Sequence, residues 1–224
     1  MLKGFAPLFL PENIRFLGFG LLVTLKIAFW SVVISFAGGT VLAIARFTGD
    51  RFDETPAARW VGTAAGWYVE VIRNLPMLLI MLVVRISSGL PAVWAGIAGI
   101  SIFVSAVMAE IVRGGLLSVD KGQWEAATAS GMTYLRVMYH IVLPQALRKM
   151  IPPIVSQFIT VVKDTAFVWA LGVEEITGRG VIIFAKYLNP MQTFFTIACS
   201  YFLVNFTLSR VARGLERRLA VRSF

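Results

Sequence analysis

Seven ionisable side chains fall inside or at the edges of strongly apolar stretches: Lys26, Glu70, Arg73, Glu110, Arg113, Lys163 and Asp164. Charges at membrane depth are costly, so such groups face a partner or a polar path. Glu70 and Arg73 are three residues apart, as are Glu110 and Arg113, and that spacing lets each pair meet on one helix face. Both sets are read as locally neutralised pairs or as contacts that gate or line a path. Lys163 and Asp164 are adjacent, so they point about 100° apart on a helix and do not simply pair with each other. Lys163 is expected to pair with a neighbouring helix. Asp164 is a candidate for holding the positive end of a zwitterionic solute.

Other chemistry finds little support. His140 and Cys199 are the only residues of their types, which leaves no metal quartet and no disulfide framework. No Gly-x-x-x-x-Gly-Lys-Ser/Thr phosphate loop and no catalytic triad is found, so the chain is expected to bind no cofactor and to catalyse no reaction itself. Asn205-Phe206-Thr207 fits a glycosylation pattern but lies in an apolar run, where it has no meaning.

The elements that carry these charges are membrane helices. Of 224 residues, 58% are hydrophobic and 15% charged. A bilayer core about 30 Å thick needs roughly 20 mainly apolar helical residues. Five stretches meet that need: 17–45, 60–84, 92–112, 150–171 and 193–208. The second is interrupted by Arg73-Asn74-Leu75-Pro76. The expected fold is an all-α membrane protein with five transmembrane helices in a single domain, residues 1–224. The first 17 residues read as a short flank, without the pattern of a cleaved signal. The small-xxx-small pair Gly62 and Gly66 permits close packing.

The net charge of +9 is placed between the apolar runs rather than on one face, which favours anionic lipid over nucleic acid. Arg46, Arg51, Arg59, Arg113, Lys121, Arg136, Arg148, Lys149, Arg210, Arg213, Arg217, Arg218 and Arg222 flank one side. Only Lys3, Arg15, Arg85, Arg179 and Lys186 flank the other. The richer side is cytoplasmic by the positive-inside rule, which puts the N-terminus outside and the C-terminus inside. Arg210, Arg213, Arg217 and Arg218 form a basic cuff toward lipid.

The longest polar interval, about 113–149, is then cytoplasmic. It reads Glu125-Ala126-Ala127, three residues, Gly131, nine residues, then Ile141-Val142-Leu143-Pro144. Good helix formers precede Gly131, which accepts a left-handed backbone and stops the helix. Apolar residues at helical spacing follow it. The expectation is two short helices joined at a bend, presenting an apolar edge to a partner groove.

This pattern resembles the cytoplasmic signature of the permease subunits of ATP-binding-cassette importers. The resemblance is carried by Glu125, Ala126, Ala127, Gly131, Ile141, Leu143 and Pro144. Gln145-Ala146-Leu147-Arg148, Lys163-Asp164-Thr165 and Ala109-Glu110-Ile111-Val112-Arg113-Gly114 are similar to the polar-amino-acid branch. The resemblance implies that the loop seats on a separate ATPase subunit, which binds ATP and Mg. It also implies a second permease subunit, an extracytoplasmic solute-binding protein and location in a bacterial cytoplasmic membrane. The competing reading is a small secondary transporter or channel that works without ATP, but the chain lacks the matching halves such folds often show.

Overall fold

The computed structural model describes residues 2–51 and 56–220, with side chains described for 4–47 and 56–214. Arg222, and the side chains of Lys3, Arg51, Arg217 and Arg218, lie outside the described residues. After a 3-10 helix at Leu2–Phe9 come α1 (Pro11–Arg51), α2 (Pro56–Arg73), α3 (Met77–Ser88), α4 (Ala92–Leu117) and α5 (Lys121–Ala129). Then follow α6 (Tyr134–Val137), a π-helical segment (Met138–Val142), α7 (Leu143–Asp164), a 3-10 segment (Thr165–Leu171), α8 (Ile176–Tyr187) and α9 (Pro190–Ala220). No strand occurs among the described residues. Prolines open α1, α2 and α9, where the absent N–H costs nothing and the fixed φ suits a first turn.

Four helical stretches are long and apolar enough to cross a bilayer: Pro11–Phe47, Ala92–Leu117, Tyr134–Leu171 and Pro190–Gly214. The expected second span is instead two shorter helices, α2 and α3. Pro76 has no N–H to give to Ile72, and its extended backbone (φ −62°, ψ 125°) starts a new helix. Leu79 and Ile80 both donate their N–H to its carbonyl, at 3.0 and 3.3 Å.

The chain divides into two compact units. The first comprises 1–35, 75–103 and 158–210, and the second 36–74, 104–157 and 211–224. In the first unit a carboxylate is fully buried. Glu175 precedes α8 and accepts hydrogen bonds from the Gly178 N–H (2.9 Å), the Thr24 hydroxyl (3.1 Å) and the Tyr201 hydroxyl (2.9 Å). Thr24 in turn accepts from the Ile176 N–H at 3.2 Å, so α1, α8 and α9 meet on one polar node. The second unit has an apolar core that joins Ala43 and Phe47 of α1, Val69 of α2, Val112 and Leu116 of α4, Ala127 of α5 and Met150 of α7.

Candidate functional site: a capped turn and an arginine-clasped glutamate

The signature loop is built on one short helix and one long helical run. Asp120 caps α5, accepting from the Gly122 N–H at 2.6 Å. The other end closes in a Schellman arrangement: Gly131 N–H bonds to Thr128 O (2.9 Å) and Met132 N–H to Ala127 O (3.2 Å). Gly131 sits at φ +77°, the left-handed region. Its missing Cβ is a backbone requirement only, since a Cβ there would meet nothing within 4 Å.

After the turn the expected second short helix is instead the start of a continuous helical run, Tyr134–Leu171. Pro144 does not break it. The π-helical segment just before widens the turn, with Leu143 N–H bonding to Met138 O, five residues back. Removing an N–H and adding a ring against the carbonyl of His140 is accommodated by that widening. The Gln145 side-chain amide also donates to Ile141 O at 2.9 Å, which supplies a second donor at the widened turn.

The signature residues divide by face. Ala127 is buried in the second unit's core, Ile141 and Leu143 are half-buried, and Glu125, Ala126, Gly131 and Pro144 are exposed. Leu135 and Tyr139, one helical step apart, are 76% and 69% exposed. The loop therefore presents an acid, small residues and an uncovered apolar edge. Trp124 of α5 stacks on Tyr134 of α6, ring centroids 5.9 Å apart, which fixes the angle across the bend. A cavity of about 300 Å³, lined by Phe47, Leu116 and Trp124 among others, opens beside Glu125.

Behind this loop lies a charge cluster that spacing revealed only in part. Glu110 and Arg113 do meet, Nη2 to Oε2 at 2.9 Å and Nε to Oε1 at 3.3 Å. Glu110 is also clasped by Arg46 of α1, and Arg73 of α2 lies 3.8 Å from its Oε2. Glu70, at the spacing that could pair with Arg73, takes the Asn74 amide instead, at 3.4 Å. Arg46 reaches Glu110 past Gly66, where a Cβ would stand 3.6 Å from the Arg46 Nε.

The remaining candidates lie in the first unit. Lys163 is exposed, and Asp164, the last residue of α7, is half-buried, with no hydrogen bond or ion pair among the described residues. No group of three or more metal-ligating side chains occurs among the described residues. Two polar features escaped the reading of spacing. Spacing marks Arg46 only as a flanking cation and does not single out Glu175; an acid three residues before Gly178, placed to cap α8, is the available signal.

Residues 44–221 match the family described as binding-protein-dependent transport system inner membrane component. The probable glutamine ABC transporter permease protein GlnP of Bacillus subtilis is 40% identical over 217 residues, covering 92% of this chain and 95% of that protein. The glutamine transport system permease protein GlnP of Escherichia coli K12 is 31% identical over 213 residues, covering 88% and 91%. A solved structure described as an amino acid ABC transporter with histidines aligns with a TM-score of 0.84 at 31% identity, over 92% of this chain and 95% of that one.

Proposed function

The chain belongs to the binding-protein-dependent transport system inner membrane component family, and from that premise we propose that it forms the path of an ATP-driven importer for a polar amino acid. ATP and Mg bind a separate ATP-binding-cassette ATPase, and this chain binds no cofactor and catalyses nothing. The observation that carries the reading is the signature loop, whose Glu125 and Ala126 stand exposed on a helix closed by the turn at Gly131, beside the uncovered Leu135 and Tyr139. Relatives named for glutamine, arginine and glutamate transport support the solute class.

The packing supports one route from ATP to the path. ATPase closure pushes on α5 through Glu125, Ala126 and the bend at Gly131. Ala127 of α5 shares a core with Val112 and Leu116 of α4, so displacement of α5 loads α4. Close-packed interiors transmit such displacement rather than absorbing it. α4 carries Glu110, and Glu110 holds Arg46 and Arg73, so the same push reaches α1 and α2. Arg73 is the last residue of α2, just before the break at Pro76, where a change of angle costs least. The other path candidates, Glu70, Lys163 and Asp164, supply polar groups along the way.

The whole chain acts as one membrane domain of the bacterial cytoplasmic membrane, beside a second permease subunit of the same or homologous sequence. It receives solute from an extracytoplasmic binding protein. In this reading α2 and α3 together make the second of five crossings, with the N-terminus outside. With Cys199 replaced by Ser, a cysteine at position 121 should react with a membrane-impermeant thiol reagent from the cytoplasmic side; reaction from the outer side alone would reverse the topology.

Uptake decides the function. Vesicles holding this chain, its co-purifying ATPase and a binding protein should accumulate labelled glutamine or a related amino acid only with ATP. Uptake that persists without ATP, driven by an ion gradient, would overturn the importer reading. In the same assay Asp164→Asn should weaken uptake in an intact complex, and unchanged kinetics would remove Asp164 from the path.

A further inference from the structure

Left-handed backbone occurs at four of the described residues, and three of them are glycines: Gly89, Gly131 and Gly172. The fourth is Leu188, at φ 52° and ψ 38°, which ends α8 with its N–H on Phe184 O at 2.8 Å. A side chain in that conformation crowds Cβ against the following carbonyl, which is why glycine or asparagine usually closes a helix in this way. Packing of the side chain could offset the strain, yet Leu188 is 81% exposed. The chain therefore carries a leucine that costs it backbone strain and gains it almost no burial. Backbone outliers of that kind gather at clamps and switches, where the surroundings enforce them for use.

The surroundings do enforce it. Asn189 is buried, its amide donating to Gly4 O at 2.7 Å and its side-chain oxygen accepting from the Thr193 hydroxyl at 3.1 Å. Pro190 opens α9, and Phe5 meets Phe195 edge to face with ring centroids 6.2 Å apart. Leu188 thus stands on a base that ties α8 and α9 to the N-terminal 3-10 helix, and Met191, in the first turn of α9, is 77% exposed. A preorganised apolar contact loses little freedom when a partner covers it.

Neighbouring charges and the position in the chain indicate the partner. Lys186, two residues before Leu188, lies 4.0 Å from Glu12 in the first turn of α1, and both side chains are mostly exposed. Charges so placed belong to water and headgroups rather than to acyl chains. The crossings of α1 and α9 both start here, so Leu188 shares the side of the N-terminus, the outer side in the topology proposed above. The ATPase acts from the opposite side. What approaches from outside in a binding-protein-dependent system is the solute-binding protein. α8 runs from Leu188 back to the Glu175 node, which also holds α1 and α9, so pressure at this turn reaches both crossings.

We propose that Leu188, with Met191, is an anchor for the extracytoplasmic solute-binding protein, received in an apolar pocket on that protein's surface. The proposal rests on the importer reading and adds to it the residue by which the binding protein is gripped. A single rigid apolar group at the centre of a contact is the form that interface anchors commonly take.

The test sets stability against docking. The solute-binding protein of the same importer, loaded with the amino acid that uptake identifies, is titrated onto the complex of this chain with its ATPase in neutral detergent and in vesicles. Thermal unfolding is measured on the same preparations. Leu188→Asn suits the left-handed backbone, so it should unfold at the same or a higher temperature yet weaken binding by about tenfold, the scale of an interface anchor. Leu188→Met keeps an apolar side chain and should keep the binding. A lower unfolding temperature for Leu188→Asn would overturn the proposal by making the leucine a packing group of this chain. Unchanged binding by Leu188→Asn, where the unmodified complex binds, would overturn it and leave the importer reading standing. Loss of the second permease subunit from Leu188→Asn would assign the turn to the permease pair, and weakened binding in vesicles but not in detergent would assign it to lipid; either overturns the proposal. No binding by the unmodified complex would overturn it together with the binding protein's place in the importer reading.

Discussion

Replacing Gly131 by valine is expected to leave the chain inserted in the membrane while releasing the partner ATPase or uncoupling its hydrolysis from transport. Gly131 is held at φ +77° by the two bonds that close α5, and a β-branched residue there is strained by about 1–3 kcal/mol. The space around it is open, so the strain is relieved by altering the backbone rather than by moving neighbours. That alteration rotates α5 relative to α6 and misplaces Glu125 and Ala126 against Leu135 and Tyr139. Gly131→Asn separates backbone from side-chain effects, because asparagine tolerates the left-handed region. It should retain the ATPase where valine loses it. Co-purification and ATPase measurements on the same preparations check both variants. Full retention with substrate-stimulated hydrolysis and normal uptake in Gly131→Val would remove the loop from the coupling path.

Glu174 and Glu175 should differ sharply although they are neighbours of the same type. Glu175 is fully buried and accepts three hydrogen bonds, so Glu175→Ala removes the acceptor of the Gly178 N–H and of the buried Thr24 hydroxyl, while the Tyr201 hydroxyl keeps Thr177 at 3.2 Å. At about 1–3 kcal/mol for each unsatisfied group, the total loss is on the order of 2 kcal/mol or more. Glu175→Gln retains one acceptor oxygen but turns an amide N–H₂ toward remaining donors, so its loss should also be large. Glu174 is mostly exposed and lies 3.6 Å from Arg179, a surface ion pair whose removal costs less than about 1 kcal/mol. Thermal unfolding of the detergent-solubilised chain measures the contrast. Equal, small shifts for Glu174→Ala and Glu175→Ala would show that the node at α8 does not hold α1 and α9.

Family membership was legible because its signature is local. Gly131 stops a helix for a reason contained in its own residue type, and the spacing from Glu125 to Pro144 is a property of the chain alone. Apolar runs likewise located the long helices, though not their ends: the run 150–171 lies within Tyr134–Leu171 and the run 193–208 within α9, Pro190–Ala220, while α8 matches none of the runs. Pro76 was visible as an interruption, yet whether it kinks one helix or separates two depends on how the freed backbone groups are satisfied. Here Asn74 turns back to the carbonyl of Glu70 at 2.8 Å and closes α2.

The charges divide along the same line. Spacing of three residues places two acid–arginine pairs on helix faces with equal justification, and only one of them forms. Arg73 turns instead to Glu110 on another helix, a carboxylate that also takes Arg46, 64 residues from it in the chain. Glu175 finds Thr24 at a separation of 151 residues. Residue types and local periodicity determined the helices, the turn and the set of groups that must find partners. Only the tertiary structure decided which partner each found, because an ion pair or buried hydrogen bond between two helices depends on their packing, and that packing is set by the apolar side chains around the charges rather than by the charges themselves.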